Sequence, residues 1–280
     1  MRYKDGTAAG SVSSTFEAQY RAHKNRKKES LEMKMEDMTN SAAGARTITF
    51  DLEAILYIPQ AQNSELFYKR KLHVYNLTIY DCLSAGHCYM WDETHGREAN
   101  SEVFSCLLTY ISQLPDNITQ LITWSDTCAG QNQNKYLLAF MLFAVNSPNN
   151  PNLQTIDVKY MESGHSYLEC NSMHSMIERA KKHRRIYTPG KMRLIVEEAR
   201  RNPQPYQVQQ MDFSQFLDFK NLFDHTVMNF SLTSDGKKVS FLKVKLFRFQ
   251  RGSSNILFKY NYKDEFSSMN FLAEPPSPPK

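Results

Sequence analysis

Two aspartates stand where strands of this 280-residue chain are expected to end. Asp126 follows the apolar run 121–125, and polar and glycine residues come next, before a long apolar stretch. This order of strand, acid, turn and helix is typical of open α/β sheets, which bind ligands at the carboxyl ends of their strands. Asp51 closes the alternating segment 47–51, which puts it on the polar face of a second strand. If the two strands are neighbours, both carboxylates face the same small volume.

Two carboxylates that converge in this way repel each other, and a bound cation is the usual remedy. Ligand sets made only of oxygen favour Mg²⁺ or Mn²⁺. In two-metal nucleic-acid enzymes, such ions activate the attacking water or hydroxyl and stabilise the leaving oxygen. We therefore predict that Asp51 and Asp126 are metal ligands and catalytic residues. The sequence leaves open whether the third acid is Glu169, a candidate metal ligand, or Glu178, a candidate catalytic acid.

A polar stripe lies on the predicted helix that carries Glu178. Asn171, His174 and Glu178 are spaced i, i+3 and i+7, opposite the apolar face of the helix. Such a stripe could contribute to the site or simply face water. A helix N-cap is at least as good an account of Asn171 as a role at the metal. His165 and His174 could form a soft metal site with Cys128 and Cys170, but their spacing matches no zinc pattern. We therefore expect buried thiols and histidines that are satisfied by hydrogen bonds.

The polar turn 130–134 follows Asp126 and contains Gln131 and Asn132. It could present side-chain amides and a helix N-terminus to a phosphate group. Equally, its last residue, Asn134, could cap the next helix. Both interpretations stay open.

A basic run follows the same helix as the third-acid candidates. Neutralisation of phosphates by Lys and Arg dominates non-specific binding to DNA, so we interpret this run as a contact to the DNA backbone. The residues are Lys181, Lys182, Arg184 and Arg185. A second basic block, 24–28, lies on a charged helix predicted at about 14–38. For that block, a solvated helix face is preferred over a nuclear import signal.

Periodicity predicts the element order β-β-β-α-β-α-β-α between about residues 46 and 185. The strands are expected at about 46–57, 66–80, 87–93, 119–126 and 153–161, and the helices at about 98–114, 133–146 and 172–183. Right-handed crossovers would add the last two strands in parallel to a three-stranded meander. The fold class expected is α/β, with a five-stranded mixed sheet flanked by helices, in the element order of the ribonuclease-H-like fold. That fold makes the first and fourth strands neighbours, so Asp51 and Asp126 would converge.

The flanking regions are expected to be less regular. Residues 1–45 are interpreted as a disordered start followed by the basic helix, and residues 266–280 as a Pro-rich disordered tail. Between them, residues 186–265 are expected to form a small α+β appendage with a short helix near 192–201. A strand is predicted over 239–249 and a hairpin partner over 255–262.

Composition sets further bounds. The formal charge of +5 permits a polyanionic partner such as DNA without requiring one. Five cysteines without a CxxC pair predict free thiols in a reducing compartment and argue against a zinc ribbon. The apolar stretches are too short to cross a bilayer, so we expect a soluble intracellular protein that does not enter a membrane.

Several of these segments resemble one known family. They are Phe50-Asp-Leu-Glu53, Asn76 in Val-Tyr-Asn-Leu, Met90-Trp-Asp-Glu93, Trp124–Asn134 and Gly164–Glu178. Together they resemble a transposase-derived, uncharacterised domain family of the DDE/DDD, ribonuclease-H-like type, abundant in arthropod genomes. The resemblance covers about residues 47–262 and implies a nuclear, DNA-binding core for metal-dependent strand cleavage and transfer.

The resemblance implies that Asp51 and Asp126 are the first two acids. The family usually carries Asp where this chain has Asn171, which is neutral and a weaker ligand. Relatives also tend to have a longer Cys/His-rich amino-terminal region that is not found before Asp51. We therefore expect a truncated, impaired transposase core. The alternative is a domesticated, non-catalytic interaction or scaffold module on the same fold.

Overall fold

The computed structural model describes residues 14–41, 44–61, 69–84, 86–97, 99–126, 134–162, 168–226 and 232–270. The elements up to residue 181 are α1 (Ser14–Thr39), β1 (Ala45–Leu52), β2 (Leu56–Ile58), β3 (Leu72–Asp81), β4 (Gly86–Asp92), α2 (Asn100–Ser112), β5 (Gln120–Ser125), α3 (Lys135–Asn146), β6 (Thr155–Tyr160) and α4 (Glu169–Lys181). Those that follow are α5 (Pro189–Glu198), β7 (Gln207–Gln210), α6 (Phe219–Thr226), β8 (Leu246–Gln250), β9 (Asn255–Lys259) and β10 (Ser267–Asn270). Over these ranges, no helix is long and apolar enough to cross a membrane.

All the strands belong to one mixed sheet, in the order β10-β9-β8-β6-β5-β1-β3-β4-β7, with β2 paired to β3. β5 is parallel to both β1 and β6, whereas β3 is antiparallel to both β1 and β4. The predicted adjacency of the first strand and the strand before Asp126 is therefore confirmed. The five predicted strands form the middle of the sheet, but the expectation that the sheet has only five strands is wrong.

The carboxyl-terminal segment adds β7, β8, β9 and β10 to the same sheet. β7 pairs in parallel with β4 at one edge, and β8, β9 and β10 continue the sheet from β6 at the other. An unpaired edge strand exposes backbone donors and acceptors, which these additions satisfy. At the β6–β8 junction, Arg248 forms two hydrogen bonds of 2.7 Å to the buried carboxylate of Asp157.

The prediction of one strand over 239–249 is correct only for its second half. Phe241–Lys243 form a 3₁₀ turn, and β8 begins at Leu246. The early part faces no partner strand, because β6 pairs with β8 only from Lys159↔Leu246 onward. The hairpin partner predicted over 255–262 is confirmed as β9, which ends at Lys259.

Helices cover both faces of the sheet. The main core lies on the face of α2, α3 and α6, where the predicted alternation of β1 is confirmed by the burial of Ile48 and Phe50. Phe104 and Phe140 stack there with ring centroids 4.8 Å apart. The opposite face carries α4 and α5 over a smaller apolar cluster, and α1 beside them. This second face also receives the polar side of β1.

The charged helix α1 packs on that second face through buried charges. The Lys34 ammonium lies 2.7 Å from Glu169, at the start of α4. Asp37 accepts hydrogen bonds from Lys159 at 2.8 Å and from the indole of Trp124 at 2.8 Å. In the basic block 24–28, Lys24 and Lys28 are exposed, as a solvated face requires. The helix is therefore part of the structure that supports β1 and β5.

Because β8 is integral to the sheet, a cavity beneath it should weaken the whole fold. Phe247 is fully buried in the main core, and Phe247→Ala should lower the free energy of unfolding by about 3–5 kcal/mol. Urea denaturation followed by circular dichroism should show one transition at a lower midpoint. Phe213→Ala is the matched control, because Phe213 is 77% exposed and its loss should cost less than about 0.5 kcal/mol. A separate early transition in Phe247→Ala would show instead that the carboxyl-terminal strands unfold alone.

Candidate functional site

The register of β1 and β5 sets the two aspartates side by side. The last paired residues in this parallel ladder are Thr49 and Trp124. Asp51 is two residues further along β1, and Asp126 directly follows the last residue of β5, Ser125. Continuing the same register past the end of β5 would place the two aspartates beside each other on one face. Neighbouring strands lie about 4.8 Å apart, which brings these carboxyl groups into the same volume, as the sequence predicts.

The electrostatics of Asp51 agree with this placement. Burial and, second, the charge of Asp126 raise the pKa of Asp51 to about 6, against a weaker opposing effect of a hydrogen bond from the Leu52 backbone. Burial and the nearby charge of Asp126 therefore disfavour the ionisation of Asp51. This is the electrostatic situation that a shared cation relieves.

A third carboxyl group, that of Glu53, directly follows the last residue of β1, Leu52. It is 3% exposed and stands directly across from Asn76 on β3. The Asn76 amide donates to Glu53 Oε2 at 2.8 Å. Burial raises the pKa of Glu53 to about 7; the Asn76 bond and Lys181 lower it, and Glu178 and Asp51 raise it. The sequence alone assigned no role to Glu53, although continuing the alternation of β1 by one residue places its side chain on the same face as Asp51.

Helix α4 lies along this row of side chains with a matching repeat. Four helical residues rise about 6 Å and two strand residues about 6.7 Å, so successive contacts stay aligned. The helix residues are Cys170, His174 and Glu178, and the strand residues are Thr49, Asp51 and Glu53. At the first level, a thiol and a hydroxyl lie 3.4 Å apart. At the last level, the helix acid acts electrostatically on the strand acid.

At the middle level, His174 is linked to Asp51 through Thr78. The Thr78 hydroxyl donates to the Asp51 carbonyl at 3.1 Å and lies 2.7 Å from His174 Nε2. A hydroxyl has one hydrogen, so both bonds form together only when His174 Nε2 carries its own hydrogen. Burial lowers the pKa of His174 to about 4, opposed by the charge of Glu178. His174 is therefore a neutral, hydrogen-bonded histidine at pH 7, as expected for it.

The start of α4 differs from the prediction. Leu168 is the N-cap residue and the helix begins at Glu169, so Asn171 is its third residue and donates its backbone N–H to Leu168 at 3.1 Å. The N-cap interpretation of Asn171 is therefore wrong. An acid in the first turn stabilises a helix N-terminus, and Lys34 of α1 fixes Glu169 in that place. The Asn171 side chain is exposed.

The basic run after α4 divides into two parts. Lys181 turns inward, with its ammonium 2.6 Å from Glu178 and its carbonyl accepting from Gln60 at 2.7 Å. The remaining residues predicted to contact DNA are exposed: Lys182, Arg184 and Arg185. A cleft of about 590 Å³ lies at the end of α4 between these two parts and Gln60. Lys181 is therefore next to the acid Glu178, whereas Lys182, Arg184 and Arg185 face solvent.

Some predicted residues fall outside the described ranges: Gln131, Asn132, His165 and Cys128. The end of the same polar turn is described, and there the Asn134 side chain accepts from the Leu137 backbone at 2.9 Å. This confirms the capping interpretation for Asn134. The thiols of Cys82, Cys88, Cys106 and Cys170 are free, as expected from the cysteine pattern.

The donor set at Asp51 and Asp126 fits an oxygen-preferring cation such as Mg²⁺ or Mn²⁺, because two carboxylates supply charge and water completes such sites. Across the part of the chain that the structure describes, no three His, Cys, Asp or Glu side chains form a complete metal-binding group. Two nearby segments, 127–133 and 163–167, are not among the described residues. The pair therefore accounts for part of a metal site.

Comparison with known proteins gives one match. A family model described as a domain of unknown function, DUF7869, matches residues 69–265. The chain belongs to this family. The DUF7869 match includes Asp126 and α4 but begins after Asp51 and Glu53 on β1. No curated protein and no solved structure matches the chain.

The raised pKa of Asp51 has a consequence for stability. An acid whose pKa is about 3.9 unfolded and about 6 folded stabilises the fold below pH 4, and this contribution is lost as the pH rises through 6. Asp51→Asn should therefore raise the free energy of unfolding at pH 8 by about 1–3 kcal/mol and leave it almost unchanged at pH 4. Urea denaturation at both pH values measures this difference. Asp116→Asn, at an exposed acid, is the control, and an equal gain at pH 4 would exclude ionisation as the cause.

Proposed function

We propose that this chain is a divalent-metal-dependent, ribonuclease-H-like core of the transposase type that acts on DNA. The observation that carries the proposal is the proximity of Asp51, near the end of β1, to Asp126, just after the adjacent parallel strand β5; burial and the charge of Asp126 raise the pKa of Asp51. Carboxylates are held in this way where a cation is to be bound.

The arrangement of the central strands supports the proposal. The order β6-β5-β1-β3-β4, with β3 antiparallel to its neighbours and β5 and β6 parallel to β1, agrees with the topology inferred from the element order. Asp51 then lies at the carboxyl end of the central strand, where ligands of open α/β sheets bind.

The residues around the acids have distinct tasks in this proposal. Asp51 and Asp126 would hold Mg²⁺ or Mn²⁺, which when bound activates a water molecule and stabilises the leaving oxygen of a phosphodiester. Thr78 and His174 fix the backbone of Asp51 by hydrogen bonds. Helix α4 covers the row and keeps it largely dry, since Thr78 is fully buried.

The DNA backbone would lie along the cleft at the end of α4. Lys182 lines this cleft. Arg184 and Arg185 follow it in the chain and are exposed, although Arg184 also pairs with Glu198 at 2.8 Å. A phosphate contact by these residues gives affinity without sequence specificity. Lys181 belongs to the acids and not to this surface.

A second candidate function is a non-catalytic interaction module on the same fold. It is favoured by the state of the helix residues expected to complete the site. Glu169 is paired with Lys34, Glu178 is paired with Lys181, and Asn171 is neutral and exposed. In this case the acids would bind a cation for stability alone.

Calorimetry and a plasmid assay together decide between these functions. Mn²⁺ should bind the wild-type chain, and Asp126→Asn should lower the affinity about tenfold or more, because one of two charged ligands is lost. Asp116→Asn is the control and should bind as the wild type does. Nicking of supercoiled DNA that Asp126→Asn abolishes supports the nuclease. Cation binding without nicking would favour the second candidate, and no binding would reject the metal site.

The exposed basic surface can be tested separately by the salt dependence of DNA binding. Changing Lys182, Arg184 and Arg185 to Ala should flatten the slope of log affinity against log salt by about 2 to 3, since each phosphate contact contributes about −0.9. Affinity for random duplexes should be measured at several salt concentrations. The control changes three exposed lysines in the β8–β10 region: Lys237, Lys238 and Lys263. Equal slopes for both triple variants would reject the proposed surface.

A further inference from the structure

The carboxyl groups near Asp51 differ in what neutralises them. Glu169, at the start of α4, is paired with Lys34 at 2.7 Å. Glu178, two turns further along, is paired with Lys181 at 2.6 Å. Each acid that the helix offers to the site therefore already has an ammonium partner of its own.

Glu53 has no ion pair with any residue that the structure describes. Its one hydrogen bond is to the neutral amide of Asn76, through Oε2. The other oxygen, Oε1, is buried and has no hydrogen-bond partner among the described residues; the same holds for Asn76 Oδ1 and for Glu169 Oε2. A buried acceptor oxygen without a donor is costly, and carboxylate and amide oxygens are the ligands that hard cations prefer.

The position of Glu53 agrees with such a role. It follows Asp51 by two residues, just past the end of β1, and continuing the alternation of the strand places it on the same face, about 6.7 Å further along. The Glu53 backbone N–H donates to the Asn76 carbonyl at 3.0 Å, so the alternation of β1 is kept up to this residue. Asp51 is also among the charges that raise the pKa of Glu53. Among the described residues, Asp51 and Glu53 thus have no salt bridge to a lysine, unlike the two acids of α4.

We infer that Glu53 is a further carboxylate ligand of the divalent-cation site. Without the ion, the described acids do not form a complete three-residue group, so Glu53 would join Asp51 through Oε1 when the ion binds. The Glu178–Lys181 pair closes this end of the site without joining the ligand set. This inference rests on the metal of the proposed function and deepens it, because it assigns the third acid to β1 instead of α4.

The test is calorimetric titration of the full chain with Mn²⁺, and separately with Mg²⁺, in the absence of DNA. Glu53→Gln removes the charge and keeps an acceptor for Asn76, so the affinity should fall about tenfold or more. Glu178→Gln should change the affinity less than about threefold, since that acid serves Lys181. Both variants should be measured beside Asp51→Asn, which must lose affinity if the site is at these acids.

Glu102→Gln is the matched control. Like Glu53, Glu102 has one bonded oxygen, which accepts from the Arg97 backbone at 2.8 Å, and one buried oxygen without a partner. It belongs to α2, away from the acids of β1. Its substitution should leave cation binding unchanged, which separates a ligand from any buried acid.

Thermal unfolding without metal checks that each variant folds. Glu53→Gln should melt at or above the wild-type temperature at pH 8, since a neutral amide replaces a buried charge, and added Mn²⁺ should raise its midpoint less than that of the wild type. If Glu53→Gln does not fold, Glu53→Asp decides, because it keeps the charge but withdraws the oxygen and should also lose about tenfold in affinity.

Two results would overturn the inference, and only the second would also reject the metal site of the proposed function. If Glu53→Gln binds as the wild type does while Glu178→Gln or Glu169→Gln loses tenfold, the third acid is on α4 and the proposed function stands. If the wild type binds neither ion, or Asp51→Asn changes nothing, the metal site of the proposed function fails together with this inference.

Discussion

The parallel pairing of β1 with β5 is the constraint on which the candidate site depends. Residue 49 stands beside residue 124, and this offset alone puts Asp51 opposite Asp126. A slip of one residue would turn one carboxylate toward the apolar face, among the helices of the main core. The register is therefore fixed by the burial of Ile48 and Phe50 on one face as much as by the acids on the other.

Concentrating acids on one face has an energetic cost that the surrounding structure must offset. Asp51 and Glu53 are harder to ionise than free carboxylic acids, mainly because α4 and the neighbouring strands exclude water from them. The large apolar core beneath the other face supplies the favourable free energy. Helix α1 adds specific ion pairs at Glu169 and Lys159, which orient α4 and β6 around the acids.

Local patterns predicted the central strands and the first two acids well, because alternation and strand-end position are properties of short segments. The third acid could not be predicted in this way. In the sequence, Glu169 and Glu178 cannot be distinguished from Glu53. They differ in the fold, because each of the two helix acids forms an ion pair with a lysine. Lys34 is distant in sequence from Glu169, so no local pattern links them. The same is true of β8, whose start depends on its pairing with β6 and not on its own alternation.

Both edges of the central strands are closed by strands that follow α4 in the chain. β7 covers β4, and β8 covers β6. While the ribosome is still making these strands, the earlier part exposes two rows of backbone donors and acceptors to which another chain could add a strand. A protein cut after α4 would contain every acid of the candidate site and yet would leave the outer edges of β4 and β6 unpaired. The acids and the strands that close the sheet around them therefore lie in different parts of the sequence.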